Sequence, residues 1–156
     1  MSFQRFIEMW TYQDDPPEQV SEAGLKIVEA RFGLSLPEDY KRALLTHGLP
    51  NPRLALLEGI LASGLDFHDV SEFFGPEEVI RLTEQWRGGG MPDHLVVFAG
   101  DCGGNLFCFD ASPGADHGAV WLWDHQEGDE SLAAVSFTAW IELFCSVEPA
   151  PEGFDP

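Results

Sequence analysis

The sequence predicts one domain of mixed fold, with helices filling the first half and a single sheet in the second. Three observations lead there. Up to Gly88, apolar residues recur at helical spacing between proline-acid starts and glycine stops. Beyond Gly88-Gly89-Gly90, short runs rich in Val, Phe and Trp are separated by turn residues, as strands are. Finally, 156 residues at 44% hydrophobic, with twelve Phe and five Trp, suffice for one core burying roughly 70% of the unfolded surface.

Taken in order, Phe3, Phe6, Ile7 and Trp10 lie on one face of a short first helix that packs on the core. Asp15-Pro16-Pro17-Glu18 has the form of a second helix start, with a carboxylate cap and proline where no amide donor is needed. Val20, Gly24, Ile27 and Arg31 mark one edge of that helix, Ala23 and Ala30 another, and Gly33 is placed to close it in the left-handed conformation. Pro37-Glu38-Asp39 opens a third, with Tyr40, Ala43, Leu44 and His47 inward and Gly48 as its stop. Periodicity fits both buried strand and buried helix for Leu54 to Leu61, and strand is the expectation. Pro76-Glu77-Glu78 starts a helix carrying Val79, Ile80, Leu82, Thr83 and Trp86, which the triple glycine ends as a mobile connector. Leu95 to Ala99, Asn105 to Phe109 and Ala119 to Trp123 are then three strands of one sheet. Ser136 caps a last helix facing inward through Phe137, Trp140, Ile141 and Phe144. These boundaries divide the chain into an N-terminal helical segment at 1–15, a domain at 16–146 and a flexible acidic tail at 147–156.

Charge is the most one-sided property of the chain. All eight Lys and Arg lie at or before Arg87, so the last 69 residues hold twelve carboxylates and no basic side chain but histidine. With a net charge of −19, that half repels nucleic-acid phosphate and anionic lipid, and draws in a basic protein. The same acidity also serves solubility. Met1 to Trp10 has Glu8 within its apolar stretch, unlike a signal peptide, and no run approaches a membrane span, so the expected location is cytoplasmic. Cys102, Cys108 and Cys145 have no zinc or disulfide spacing and are expected as reduced, mostly buried thiols.

Sites of chemistry are sparse. Gly100 to Asn105 lacks the lysine of a phosphate cradle and lies between two strands, so it is a tight turn. Asp116, His117, Asp124 and His125 are the one set from which a metal-dependent hydrolase could be built, and their spacing matches no established ligand set. With no nucleophile elbow and no zinc-binding helix motif, the expectation is a protein without catalytic residues, metal or cofactor. Trp121 and Trp123 share one face of the last strand. They are core, or, if Leu122 points inward, an exposed aromatic pair ringed by acids.

Val28-Glu29-Ala30-Arg31-Phe32-Gly33-Leu34-Ser35-Leu36-Pro37-Glu38-Asp39-Tyr40-Lys41, then Ala99 to Asp110 with its Gly100-Asp101-Cys102-Gly103-Gly104-Asn105 turn, then Val120-Trp121-Leu122-Trp123-Asp124-His125 and Ser136-Phe137, resemble the SUKH superfamily in content and order. That group includes fungal cell-wall assembly regulators and bacterial proteins that neutralise polymorphic toxins. The likeness spans about residues 18 to 146. His47-Gly48 and Cys102 depart from it, and Leu49 to Gly75 matches none of it. It implies an α+β domain, with a central, mainly antiparallel sheet and flanking helices, that acts by binding. Joined to the charge, it implies an immunity protein for a basic toxin domain, or alternatively a regulatory module of the cell-wall type. Asp101, Asp110, Asp116, Asp124, Glu127, Asp129 and Glu130, which fall in the loops of the acidic half, are the candidate contacts, with Trp121 beside them.

Overall fold

Five strands, β1 (Glu72–Phe73), β2 (Leu95–Gly100), β3 (Leu106–Asp110), β4 (Val120–Asp124) and β5 (Asp129–Ala134), form one antiparallel sheet. Their spatial order is their order along the chain. Among the described residues, six helices surround it: α1 (Ser2–Trp10), α2 (Glu22–Phe32), α3 (Glu38–His47), α4 (Ala55–Ala62), α5 (Pro76–Gly88) and α6 (Phe137–Cys145). This computed structural model describes residues 2–155; Met1 of the N-terminal segment and Pro156 of the expected tail lie outside the described residues. The result is the α+β architecture with a central antiparallel sheet.

Alternation along the strands gives the sheet two apolar faces. On one, Phe98 stacks on Phe109 with ring centroids 4.1 Å apart, and Tyr40 of α3, with Phe137 and Trp140 of α6, meets Phe98 edge-on. Such offset and edge contacts add about 0.5–1.5 kcal/mol each beyond the area they bury. Asp39, next to Tyr40, ties α3 to α6 by accepting from the Thr138 N–H and hydroxyl, both at 2.9 Å. Behind α6 lies α1, whose Trp10 indole N–H donates to the Phe144 carbonyl at 3.0 Å. The opposite face receives α5. There Thr83 Oγ1 accepts the Val97 N–H at 3.0 Å, next to a shift in the β2–β3 register between Val97 and Ala99. Trp86 meets Trp123 edge-on, and α2 packs against α5.

Several elements differ from the sequence expectation, each for a physical reason. The second helix starts at Glu22, where Ser21 Oγ accepts the Gly24 N–H, because the Pro16–Glu18 stretch is used elsewhere. Glu18 exchanges two backbone hydrogen bonds with Leu49, at 2.9 and 2.7 Å. That crossing needs Gly48, since a Cβ there would meet the Glu18 carbonyl oxygen at 2.5 Å and φ is +91°. With the start moved, Leu25 and Val28 form the inner face and Ile27 is 60% exposed. Residues Ala55–Ala62 are helix rather than strand: Leu56 and Ile60, four apart, turn inward while Leu54 and Leu61 stay exposed. Val147 is buried, so the core reaches one residue past the expected boundary at 146. Of the cysteines, Cys108 is buried, Cys145 half-buried and Cys102 exposed, because the turn points Cys102 outward.

Candidate partner-binding surface

Asp124 organises the β4–β5 hairpin. Its Oδ1 accepts the N–H groups of Gln126 at 2.9 Å and Glu127 at 3.1 Å, and Gly128 takes φ +73° to complete the turn. Those two amides hold the Asp124 carboxyl below the usual carboxylate range. Glu127 and Asp129 stand exposed on either side of Gly128. Along the strands, register pairs Trp123 with Glu130 and Trp121 with Leu132, and paired residues share a face. Trp123 is buried under Trp86, Trp121 is half-buried, and Leu132 is 53% exposed. Glu130 reaches His94 Nε2 at 2.9 Å. Among the described residues β5 pairs only with β4, and its other edge carries no strand.

The candidate acids therefore do not form one cluster. Asp124, Glu127, Asp129 and Glu130 gather at and beside one hairpin, with Trp121 and Leu132 on the strands behind them. Asp110 and Asp116 lie at the other end of β4, where each accepts a nearby backbone N–H: Ser112 at 2.8 Å and Gly118 at 2.9 Å. A five-residue strand separates the two ends by roughly 13–17 Å at ~3.3 Å per residue. The same separation divides the imagined hydrolase set, because Asp116 and His117 precede β4 while Asp124 and His125 end and follow it. Among the described residues, no group of three or more His, Cys, Asp or Glu side chains is arranged to hold a metal ion.

Asp101 corrects the expected contact set, since its side chain is only 3% exposed. One oxygen accepts the N–H groups of Gly103 and Asn105, and the other faces Asn105 Nδ2 and His68 Nδ1, all at 2.8–3.0 Å. Asn105 in turn meets His125 Nδ1 at 3.1 Å, and the His125 ring lies over Gly104, whose φ is +88°. The carboxylate is thus the internal post of the β2–β3 turn, and no oxygen is left for a partner. Beside it, although Cys102 is exposed as a residue, partial desolvation of its sulfur and the neighbouring Asp69 charge push the thiol up to about 11. At neutral pH it stays protonated and is a poor nucleophile.

Sequence reasoning missed Leu132 and the whole of β5. A signal was present, since Glu130, Leu132 and Ala134 alternate with Asp129, Ser131 and Ala133 after a glycine turn. No helix among the described residues is long and apolar enough to cross a membrane.

Comparison with known proteins agrees with this architecture. The family model described as "SMI1 / KNR4 family (SUKH-1)" matches residues 19–143. No curated protein matches the chain. A crystal structure of a protein from Pseudomonas syringae pv. tomato superposes with a TM-score of 0.54 at 16% identity, covering 90% of this chain and 93% of that one. At that identity the likeness speaks to the fold.

Proposed function

Because the chain belongs to the SMI1 / KNR4 family (SUKH-1), we propose that it is an immunity protein that binds a basic toxin domain, a nuclease or deaminase, and blocks it. The observation that carries this reading is the β4–β5 hairpin. It sets three exposed or half-exposed carboxylates, Asp124, Glu127 and Asp129, at the end of an open sheet edge, with Trp121 and Leu132 behind them. An aromatic and an aliphatic side chain bordered by charge is the composition of an interface hot spot. Enzymes that act on nucleic acid must hold phosphate and present basic surface, which such a hairpin complements. Asp110 and Asp116, at the far end of the sheet, contribute to the field that draws the partner in rather than to the same contact.

Charge reversal tests the reading. In the triple variant Asp124→Lys, Glu127→Lys, Asp129→Lys, association with a basic toxin domain that the unaltered protein binds is expected to slow by roughly 10-fold or more at low salt. Its salt dependence flattens with it. An unchanged on-rate removes the hairpin from the interface. The absence of a complex between the unaltered protein and any such domain, at low and high salt alike, removes the immunity role and leaves a regulatory module.

A further inference from the structure

A groove of about 810 Å3 runs along the β1 edge of the sheet, at the opposite side from β5, and is built from residues between Asp15 and Ile80. Its size falls within the ~300–1,000 Å3 of ordinary ligand clefts. One wall is the segment leading into α2, the other is the start of α5, and Leu49 and Phe73 lie between them. The two helix starts nearly touch, since a Cβ on Gly24 would sit 3.0 Å from Pro76.

The lining is acidic and contains no Lys or Arg. Asp15 is engaged by the Asn51 amide at 2.8 Å and Glu78 by Arg81 at 3.6 Å. Among the described residues, Glu18, Glu72 and Glu77 have no cation within bonding distance, and all three are exposed. The two helix N-termini bring about +0.5 charge each, less than these carboxylates carry. Apolar surface accompanies the charge: Ile27 is 60% exposed on the groove wall. Among the described residues β1 pairs with β2 alone, so its outer edge also meets the groove.

We propose that this groove binds an extended, cationic segment of a partner protein. Lys or Arg side chains of that segment lie against Glu18, Glu72 and Glu77, and an apolar side chain covers Ile27. An anionic ligand is repelled, and a second copy of this chain carries the same charge of −19. The mode is the familiar one in which an extended peptide follows a sheet edge and neighbouring surface reads alternate side chains. Because the groove and the β4–β5 hairpin lie at opposite edges, this site stands whether or not the hairpin binds a toxin.

The probe is the peptide Lys-Val-Lys-Val-Lys, titrated into the 15N-labelled full chain, with Lys-Gly-Lys-Gly-Lys as the control for charge alone. Amide shift changes are expected to concentrate in residues 15–27 and 72–80. Glu72→Gln with Glu77→Gln, both at exposed positions, weakens the peptide at least tenfold while the protein stays folded, its melting temperature within a few degrees of the parent's, because relieved repulsion and the lost first-turn acid of α5 oppose each other. Ile27→Ser weakens the valine peptide and leaves the glycine peptide unchanged. Shifts centred on Gln126–Leu132, shifts spread evenly over the acidic surface, or an unaltered affinity in the double glutamine variant would each overturn the proposal.

Discussion

Asp101 shows what a residue's identity leaves unsaid. In the sequence it is one of several aspartates in a glycine-rich turn, and its charge places it with the rest. Its four hydrogen bonds give it a different task, because the oxygens hold the Gly103 and Asn105 N–H groups in the turn geometry and meet His68. Asp101→Ala is expected to cost about 1–3 kcal/mol, the range for leaving such donors unpaired. That lowers the melting temperature by roughly 2–12 °C for a chain of this size. Asp101→Asn keeps one acceptor oxygen and loses less. A melting curve of Asp101→Ala that matches the parent contradicts the role. The residues that the sequence did place correctly, such as Phe137, Trp140, Ile141 and Phe144 on α6, are apolar ones whose position follows from spacing alone. Polar residues have no such rule, since solvent, a turn and a partner all satisfy a carboxylate.

Elements were legible where local punctuation and periodicity agreed. α3, α5, α6 and the strands β2 to β4 have capping residues, glycine stops or strong β-formers at their ends. Where the deciding contact is distant, local reading failed. The expected start at Pro16 and Pro17 gives way because Glu18 pairs with Leu49, and nothing near Glu18 announces that partner. The two-residue β1 exists only because β2 lies beside it. α4 is a third case, since its apolar run fits either structure until its neighbours are known. Gly59 reveals them: a Cβ there would meet the Glu148 carbonyl oxygen at 2.7 Å and Val147 Cγ1 at 2.9 Å. Helix α4 therefore forms the seat of the segment after α6. Gly59→Ala is expected to destabilise the protein by about 1–3 kcal/mol through overpacking, despite the better helix propensity of alanine. It also opens the chain after Cys145 to limited proteolysis. A variant that is more stable than the parent, as propensity alone requires, rules this seat out.

At the scale of the whole molecule, charge works against the fold that presents it. A net charge of −19 repels itself, while the Lys and Arg ion pairs are mostly exposed and contribute about 0–1 kcal/mol each. Salt screens that repulsion over a Debye length of about 8 Å at 0.15 M. The melting temperature is accordingly expected to rise between 10 and 300 mM sodium chloride, the reverse of the expected effect on toxin affinity. A melting temperature that falls with salt would mean that attractive pairs outweigh the repulsion. The pairing of α1 with α6 has its own consequence for how the protein is made. Trp10 and Phe144, joined by a hydrogen bond, are 134 residues apart. At the usual ~5–20 residues per second on a ribosome, roughly 7–27 s pass between the appearance of one and the other. Throughout that interval Phe3, Phe6 and Trp10 lack the helix that covers them, so this apolar face of α1 stays open until α6 has emerged, and the two ends of the domain close on each other last.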